Sequence, residues 1–156
     1  MAKPQIDQQV ITKLRAICAG ETDFVTIMAV VADELFHAVG GFDWVGFYRV
    51  VAPGVLKLGP YQGGHGCSVI PFDKGVCGAA ARKKQTQIAN DVHQFDGHIA
   101  CAASTQSELV IPVFDKNQNL VAVLDIDSDQ PAFFNRQLAT QLETLLAKLF
   151  GPDEVA

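Results

Sequence analysis

Apolar residues recur every three or four positions at both ends of the chain, which is the spacing of amphipathic helices. At the N-terminal end this pattern predicts two helices within about residues 4–39, the first over residues 4–18. The second helix is expected to end at Gly40 and Gly41, since glycine is a common residue just after a helix. Near the other end, Asn135 can cap a last helix over about residues 135–150.

Between these helices the pattern changes to runs of aromatic and β-branched residues, as in strands. Four such runs form two predicted hairpins, residues 44–51 with 55–61 and residues 108–114 with 120–127. A short helix over residues 75–84 and a short strand over residues 86–89 separate the hairpins. This order predicts an α+β fold with an antiparallel sheet flanked by helices. We expect a single domain over residues 1–156, with the sheet and its connecting segment at about residues 43–128.

Composition narrows the class of protein. Apolar residues make up 49% of the chain and charged residues 19%, a balance typical of a packed domain rather than a disordered chain. The net charge of −5 argues against a nucleic-acid partner, because such proteins usually carry a basic patch. The N-terminal segment lacks the pattern of a signal peptide, and no apolar run approaches the about 20 residues of a membrane span. We therefore expect a cytoplasmic protein with no membrane association, whose cysteines are reactive or metal-binding rather than structural.

Thiols and imidazoles are concentrated in residues 61–101. Three of the four cysteines and three of the four histidines lie there: Cys67, Cys77, Cys101, His65, His93 and His98. These cysteines stand among glycine, serine, histidine and aspartate, a setting that does not favour a buried apolar role. Cys18 differs, because it lies on the apolar side of the first predicted helix and is expected to be a buried core residue.

Two kinds of chemistry suit the clustered cysteines, namely metal binding and thiol redox chemistry. His65 with Cys67, and His98 with Cys101, can form two short pairs of metal ligands. Structural zinc sites usually contain close pairs such as C-x-x-C, whereas here nine and twenty-three residues separate successive cysteines. Thiol redox chemistry is favoured, because a thiol oxidised to a sulfenic acid needs a second thiol nearby to form a disulfide. We predict no metal site, with a zinc-binding module as the alternative.

Three carboxylates are expected to lie together near Cys101. Asp125 and Asp127 are two apart on a predicted strand and therefore share one face of the sheet. Glu108 begins the other strand of the same antiparallel hairpin, so it lies beside the end that carries the two aspartates. Such a cluster suits a cationic group such as an α-ammonium, or a proton donor whose pKa is raised by like charges. Alternatively, the aspartates simply begin the turn that follows the strand.

Two aromatic residues also share a face of the predicted sheet. Trp44 and Tyr48 are four positions apart on the first strand, so both side chains point to the same side. Core packing is the default interpretation of such a pair. The alternative is that both rings form one wall of a small apolar pocket, for example for a methyl or thioether group. The residues alone leave both interpretations open.

Three strings in the chain are similar to those of the free methionine-(R)-sulfoxide reductases, small enzymes built on a GAF domain. The strings are GGHGCSVIPFDKGVCGAAA, DVHQFDGHIACAASTQSELVIPV and VLDIDS. The resemblance extends over about residues 43–135. The spacing of the three cysteines, together with DGHIAC and LDID, is far more specific than a general GAF pattern. The resemblance implies a single GAF domain that reduces free L-methionine-(R)-sulfoxide to L-methionine.

The resemblance also implies a role for each clustered cysteine. Cys101 matches the family's nucleophile, which attacks the sulfoxide and becomes a sulfenic acid. Cys67 matches the resolving cysteine, which condenses with that sulfenic acid to form an intramolecular disulfide. Cys77 matches an alternative or secondary partner. Thioredoxin or a similar dithiol protein is then expected to reduce the disulfide, and no bound cofactor is implied.

The substrate site and the assembly are implied in the same way. The family's acidic substrate cluster falls on Glu108, Asp125 and Asp127, and its aromatic pocket falls on Trp44 and Tyr48. A homodimer is expected, with the two N-terminal helices as an apolar surface for the interface. The competing class is a GAF sensor that binds a small ligand without turnover. Such a sensor has no use for the three clustered cysteines, so the reductase is favoured.

Overall fold

The computed structural model describes residues 3–99 and 101–151, and within them the elements follow the predicted order. The helices are α1 Gln8–Ile17, α2 Phe24–Ala38, α3 Gly75–Lys83 and α4 Arg136–Phe150. The strands are β1 Trp44–Ala52, β2 Val55–Gln62, β3 Val69–Pro71, β4 Gln87–Ala89, β5 Ser107–Phe114 and β6 Leu120–Ser128. A single 3₁₀ turn at Val92–Gln94 lies between β4 and β5. None of the helices in this described part is long and apolar enough to span a bilayer.

The six strands form one antiparallel sheet in the order β3-β2-β1-β6-β5-β4. The predicted α+β class and both predicted hairpins are therefore confirmed. Strand β3 was not predicted, because its three residues follow a glycine-rich segment that shows no strand pattern. The central pairing of β1 with β6 joins the two hairpins edge to edge. This pairing brings the aromatic residues of one hairpin beside the carboxylates of the other.

The first helix begins later than residue 4, where the apolar spacing placed its start. It begins at Gln8, because the Asp7 side chain caps it by accepting a hydrogen bond from the backbone N–H of Gln9 at 2.8 Å. The preceding backbone is bound to α4 instead: Ile6 N–H donates to the side-chain oxygen of Gln141 at 3.0 Å. Ile6 is buried although it lies outside the helix, which explains its place in the apolar pattern.

Alternation along the strands gives the sheet two buried faces. On one face, residues such as Phe47, Leu109 and Leu124 pack with α1, α2 and α4 in the larger hydrophobic cluster. The opposite face carries a second cluster, in which strand residues pack with α3. Because side chains alternate along a strand, the even positions of β1 and the odd positions of β6 point to the α3 face. The predicted site residues of both strands therefore lie on that face.

Candidate active site

The sheet register places the three predicted carboxylates side by side. Glu108 of β5 lies opposite Asp127 of β6, and Val110 lies opposite Asp125. On the other edge of β6, Trp44 and Gly46 of β1 lie opposite Asp127 and Asp125. The carboxylates line one pocket, together with the two predicted aromatic residues and Cys101. The predicted clustering of the carboxylates is confirmed, and we refer to Glu108, Asp125 and Asp127 as the acid cluster.

Burial dominates the electrostatics of this cluster. Asp125 is only 4% exposed, and its pKa is raised well above the ordinary value, first by burial and then by the charges of Asp127 and Glu108. The pKa of Asp127 is also raised, by burial and by Glu108. Asp127 as a whole is partly exposed, but its Oδ1 is enclosed. Among the described residues, neither Asp125 Oδ1 nor Asp127 Oδ1 has a hydrogen-bond partner. Both aspartates lie within β6, which extends to Ser128, so they do not merely begin a turn.

Cys77 is buried, contrary to the expectation from its polar neighbours in the sequence. It lies on α3 with a side chain that is 3% exposed, and it belongs to the hydrophobic cluster on that face of the sheet. Its thiol donates a hydrogen bond to Glu108 Oε2 at 3.8 Å. Burial raises the pKa of the Cys77 thiol, and the charges of Asp125 and Glu108 raise it further. The thiol is therefore protonated at neutral pH.

A disulfide joins Cys67 to Cys101, which are 34 positions apart in the sequence. Their Cα atoms are 5.1 Å apart. Cys67 comes from the segment between β2 and β3, and Cys101 from the segment that follows the 3₁₀ turn. The second segment is held against the start of α3 by a hydrogen bond from Gly75 N–H to Gly97 O at 2.8 Å. Both glycines have positive φ angles, 66° and 75°, which glycine adopts without strain. The pairing matches the one that the resemblance implies.

The remaining two cysteines carry free thiols, Cys18 and Cys77. Cys18 is buried at 7% exposure, as expected for a residue on the apolar side of the first helix. It packs in the larger hydrophobic cluster, on the opposite face of the sheet from the disulfide. Burial raises the pKa of its thiol, and the nearby charge of Glu21 raises it further. Cys18 therefore takes no part in the site.

Aromatic rings form the wall of the pocket. The Trp44 ring stacks on Tyr48 at 5.9 Å between centroids and on Tyr61 at 5.4 Å. Its Nε1–H donates to Gly64 O at 2.9 Å, which holds the segment that leads to Cys67. Gly46 makes the stack possible, because a Cβ atom there would overlap the Trp44 ring and lie 2.6 Å from Tyr61 Cβ. Trp44 and Tyr48 are thus both buried and pocket-lining, which combines the two interpretations that their spacing allowed.

Sequence reasoning missed the stacking of Tyr61 on Trp44. The signal that could have found it is the hairpin register, because Tyr61 lies opposite Gly46, between Trp44 and Tyr48. His65 and His98 also line the pocket, but not in the histidine–cysteine metal pairs that were the alternative to redox chemistry. Cys67 and Cys101 are bonded to each other, so neither sulfur is free to bind a metal. The ligand set that the described residues bring within 4.8 Å of one another is a different one, Cys77, Glu108 and Asp125.

Comparison with known proteins identifies the family. Residues 21–149 match the GAF domain family. The free methionine-R-sulfoxide reductase of Escherichia coli is 44% identical over 139 residues, which cover 85% of this chain and 83% of that protein. This chain belongs to the free methionine-R-sulfoxide reductase family. The reductase of Saccharomyces cerevisiae that bears the same name is 37% identical over 131 residues, covering 80% of this chain and 73% of that protein.

Solved structures of family members have the same fold. Free methionine-R-sulfoxide reductase from Neisseria meningitidis in complex with its substrate superposes with a TM-score of 0.86 at 36% identity, covering 96% of this chain and 92% of that one. The reduced form of fRMsr from Staphylococcus aureus superposes with a TM-score of 0.88 at 34% identity, covering 96% and 97%. The expected membership in this GAF-domain reductase family is therefore confirmed.

Proposed function

We propose that this protein reduces free L-methionine-(R)-sulfoxide to L-methionine by thiol chemistry at Cys101. The observation that carries the proposal is the Cys67–Cys101 disulfide, whose Cys101 lines a pocket together with the acid cluster and an aromatic wall. Family membership supports it, since relatives that align with most of this chain are named as reductases of free methionine-R-sulfoxide. A sensor that only binds a ligand would need neither a redox-active cysteine pair nor a proton source beside it.

The reaction begins with the Cys101 thiolate attacking the sulfoxide sulfur. The sulfur–oxygen bond of the substrate breaks, methionine leaves, and Cys101 becomes a sulfenic acid that carries the oxygen and a proton. The Cys67 thiol then attacks the sulfenic acid sulfur, which releases water and forms the Cys67–Cys101 disulfide. The sulfoxide is reduced by two electrons and the two cysteines are oxidised by two electrons, so the cycle balances.

The acid cluster has two tasks in this proposal. Its negative charge binds the α-ammonium group of the free amino acid, a group that peptide-bound methionine sulfoxide lacks. Its protonated member supplies the proton that the departing oxygen needs. The raised pKa of Asp125 supports this second task, because burial and the neighbouring charges of Asp127 and Glu108 favour the protonated form that an acid needs. The wall of Trp44 and Tyr48 contacts the methyl and thioether end of the substrate.

The disulfide must be reduced before another turnover. We assign that step to thioredoxin or a similar dithiol protein. Its two thiols are oxidised to a disulfide while Cys67 and Cys101 are reduced, and no bound cofactor is needed. Such a donor is present in the reducing cytoplasm, which is where we place the cycle. Cys77 is the secondary thiol of the proposal, because it lines the same pocket as Cys101 and carries a free thiol.

The proposal is tested by thioredoxin-coupled oxidation of NADPH with three substrates. We expect turnover with free L-methionine-(R)-sulfoxide and none above background with the S epimer. The N-acetyl derivative of the R epimer lacks the ammonium charge, and we expect its kcat/KM to fall by at least about 100-fold, since charge-assisted hydrogen bonds are lost. If the fully reduced protein shows no turnover, the proposal is wrong and a GAF sensor that only binds a ligand becomes the favoured function.

We also propose that the protein forms a homodimer through its N-terminal helices. Ile17 at the end of α1 is 49% exposed and Val25 at the start of α2 is 52% exposed, so apolar side chains of both helices face outward. Burying such side chains against a second copy is favourable. Sedimentation equilibrium is expected to give twice the chain mass, and Val25→Lys is expected to shift the equilibrium to monomer. A wild-type protein that sediments as a monomer at micromolar concentration would contradict this assembly.

A further inference from the structure

We propose that Cys77, Glu108 and Asp125 form a binding site for zinc, at which the metal competes with the substrate and reversibly inhibits the enzyme. Each of these residues offers one ligand atom, and the three atoms all lie within 4.8 Å of one another. These ligands differ from the histidine–cysteine pairs that the sequence offered as an alternative. The binding claim stands by itself, whereas the inhibition claim rests on the proposed function.

The spacing of the ligand atoms suits a tetrahedral ion. With a zinc–sulfur bond of about 2.3 Å and a zinc–oxygen bond of about 2.0–2.2 Å, tetrahedral angles place sulfur and oxygen about 3.6 Å apart. Cys77 Sγ and Glu108 Oε2 are 3.8 Å apart in the structure. The other ligand atoms lie within 4.8 Å, so the site closes around an ion when the Glu108 and Asp125 side chains turn toward it.

An independent observation points to a cationic ligand at this place. The Asp125 side chain is 96% buried, being 4% exposed, and its Oδ1 has no hydrogen-bond partner among residues 3–99 and 101–151. Buried polar atoms in proteins nearly always have a partner, so an unpartnered carboxylate oxygen indicates an atom that a ligand is to satisfy. Asp127 Oδ1 is also enclosed and unpartnered and lies on the same side of the strand, but it does not belong to the group of atoms within 4.8 Å of one another.

Charge and ligand type select the metal. A thiolate and two carboxylates together carry three negative charges in a buried place, which a divalent cation neutralises in large part. Magnesium and calcium prefer oxygen ligands only, whereas zinc binds thiolate and carboxylate together. On binding, the Cys77 thiol and any carboxyl group that is protonated give their protons to solvent, bonds from sulfur and oxygen to zinc form, and no atom is oxidised or reduced. The ion would occupy the place that we assign to the substrate's ammonium group, so the two exclude each other.

Metal binding is tested on the disulfide form of the protein, in which Cys67 and Cys101 cannot act as ligands. Cobalt(II) is the spectroscopic probe, because cobalt bound to a thiolate shows a sulfur-to-metal charge-transfer band. Zinc affinity is measured by competition with a chromophoric chelator. We expect the wild type and Cys18→Ala to show the band, and Cys77→Ser to lose it and to bind zinc at least about 100-fold more weakly. Cys18→Ala is the matched control, since it removes the other free buried thiol.

Glu108→Gln is the second variant, and it keeps the thiol while it removes one carboxylate. We expect it to weaken zinc binding by at least about 10-fold, with circular dichroism showing that it is folded. A charge-transfer band that persists in Cys77→Ser, or that disappears in Cys18→Ala, would overturn the assignment. A wild-type protein that binds neither metal would also overturn it.

Inhibition is tested separately, in a single turnover of reduced, desalted protein at buffered free zinc. Each variant is compared with its own rate without metal, and Cys77→Ser is expected to need at least about 100-fold more free zinc for half inhibition than the wild type or Cys18→Ala. Equal sensitivity of all three proteins would overturn the inhibition claim. If the wild type releases no methionine without zinc, the proposed function fails, while the cobalt band still decides whether the metal site exists.

Discussion

Reduced protein with Cys101→Ser is expected to release no methionine from free methionine-(R)-sulfoxide, even within one turnover. Serine keeps the shape of the side chain but is a far weaker nucleophile, so the rate should fall by at least about 1,000-fold. Cys67→Ser, in contrast, is expected to release one methionine per chain, because it removes only the resolving thiol. Rapid quenching followed by chromatographic measurement of methionine distinguishes these outcomes.

Two further variants define the role of each thiol. Residual turnover in Cys67→Ser would show that Cys77 can resolve the sulfenic acid, and Cys67→Ser combined with Cys77→Ser should then stop after one methionine. Cys18→Ala is the control and should keep the wild-type rate, since Cys18 lies on the opposite face of the sheet. Release of one methionine per chain by Cys101→Ser would show that another cysteine is the nucleophile and would contradict the proposed mechanism.

Asp125→Asn is expected to reduce activity and raise stability at the same time. Asparagine cannot donate the proton that we assign to Asp125, so kcat/KM should fall by about 10- to 100-fold. The same change removes a buried ionisable group whose charged form is disfavoured by burial and by Asp127 and Glu108, and the asparagine amide can donate a hydrogen bond to those neighbours. We expect the free energy of unfolding at neutral pH to rise by about 0.5–2 kcal/mol. Replacement of a residue that serves activity often stabilises the folded protein in this way.

The pH dependence of this stabilisation follows from the raised pKa of Asp125. A carboxyl group with a raised pKa in the folded state contributes stability when it is protonated, and that contribution is lost as pH rises through the folded-state pKa. The advantage of Asp125→Asn should therefore be greatest at neutral pH and shrink toward about pH 4, near the pKa of an unfolded aspartate. Urea unfolding of reduced wild type and variant across this range measures the difference.

Asp115→Asn is the matched control for the stability experiment. The Asp115 carboxylate is exposed and accepts backbone hydrogen bonds from Asn119 and Asn117, which lower its pKa. Removing that charge should not stabilise the protein at neutral pH. If Asp125→Asn is less stable than the wild type at every pH, the buried Asp125 carboxyl group does not destabilise the folded protein, and the prediction is wrong.

The strands, the long helices and the shared face of the site residues could be predicted from local pattern. Side chains alternate along a strand, so two-residue and four-residue spacing placed Asp125 with Asp127 and Trp44 with Tyr48. The hairpin placed Glu108 beside the two aspartates, as the register confirms. The start of α1 was wrong by four residues, because Ile6 is buried by a contact with α4 that no local pattern contains.

Contacts between distant segments decided the rest. The residues alone left metal binding and redox chemistry open, because chain spacing does not say which cysteines meet. Cys67 and Cys101 meet through the folding of two irregular segments, one held by Trp44 and the other by the Gly75–Gly97 hydrogen bond. The sequence neighbours of Cys77 did not favour a buried apolar role, but Cys77 is buried because it lies on the side of α3 that packs against the sheet.

The sequence by itself thus determined the elements, the fold class, the family and the face on which the carboxylates and aromatic rings lie, since these depend on backbone geometry within each element. Only the tertiary structure decided that Cys77 lies against Glu108, that Tyr61 extends the aromatic stack, and that Asp125 keeps an oxygen without a partner among the described residues. These features depend on packing between elements that are far apart in the chain, where burial and charge act across space rather than along the sequence.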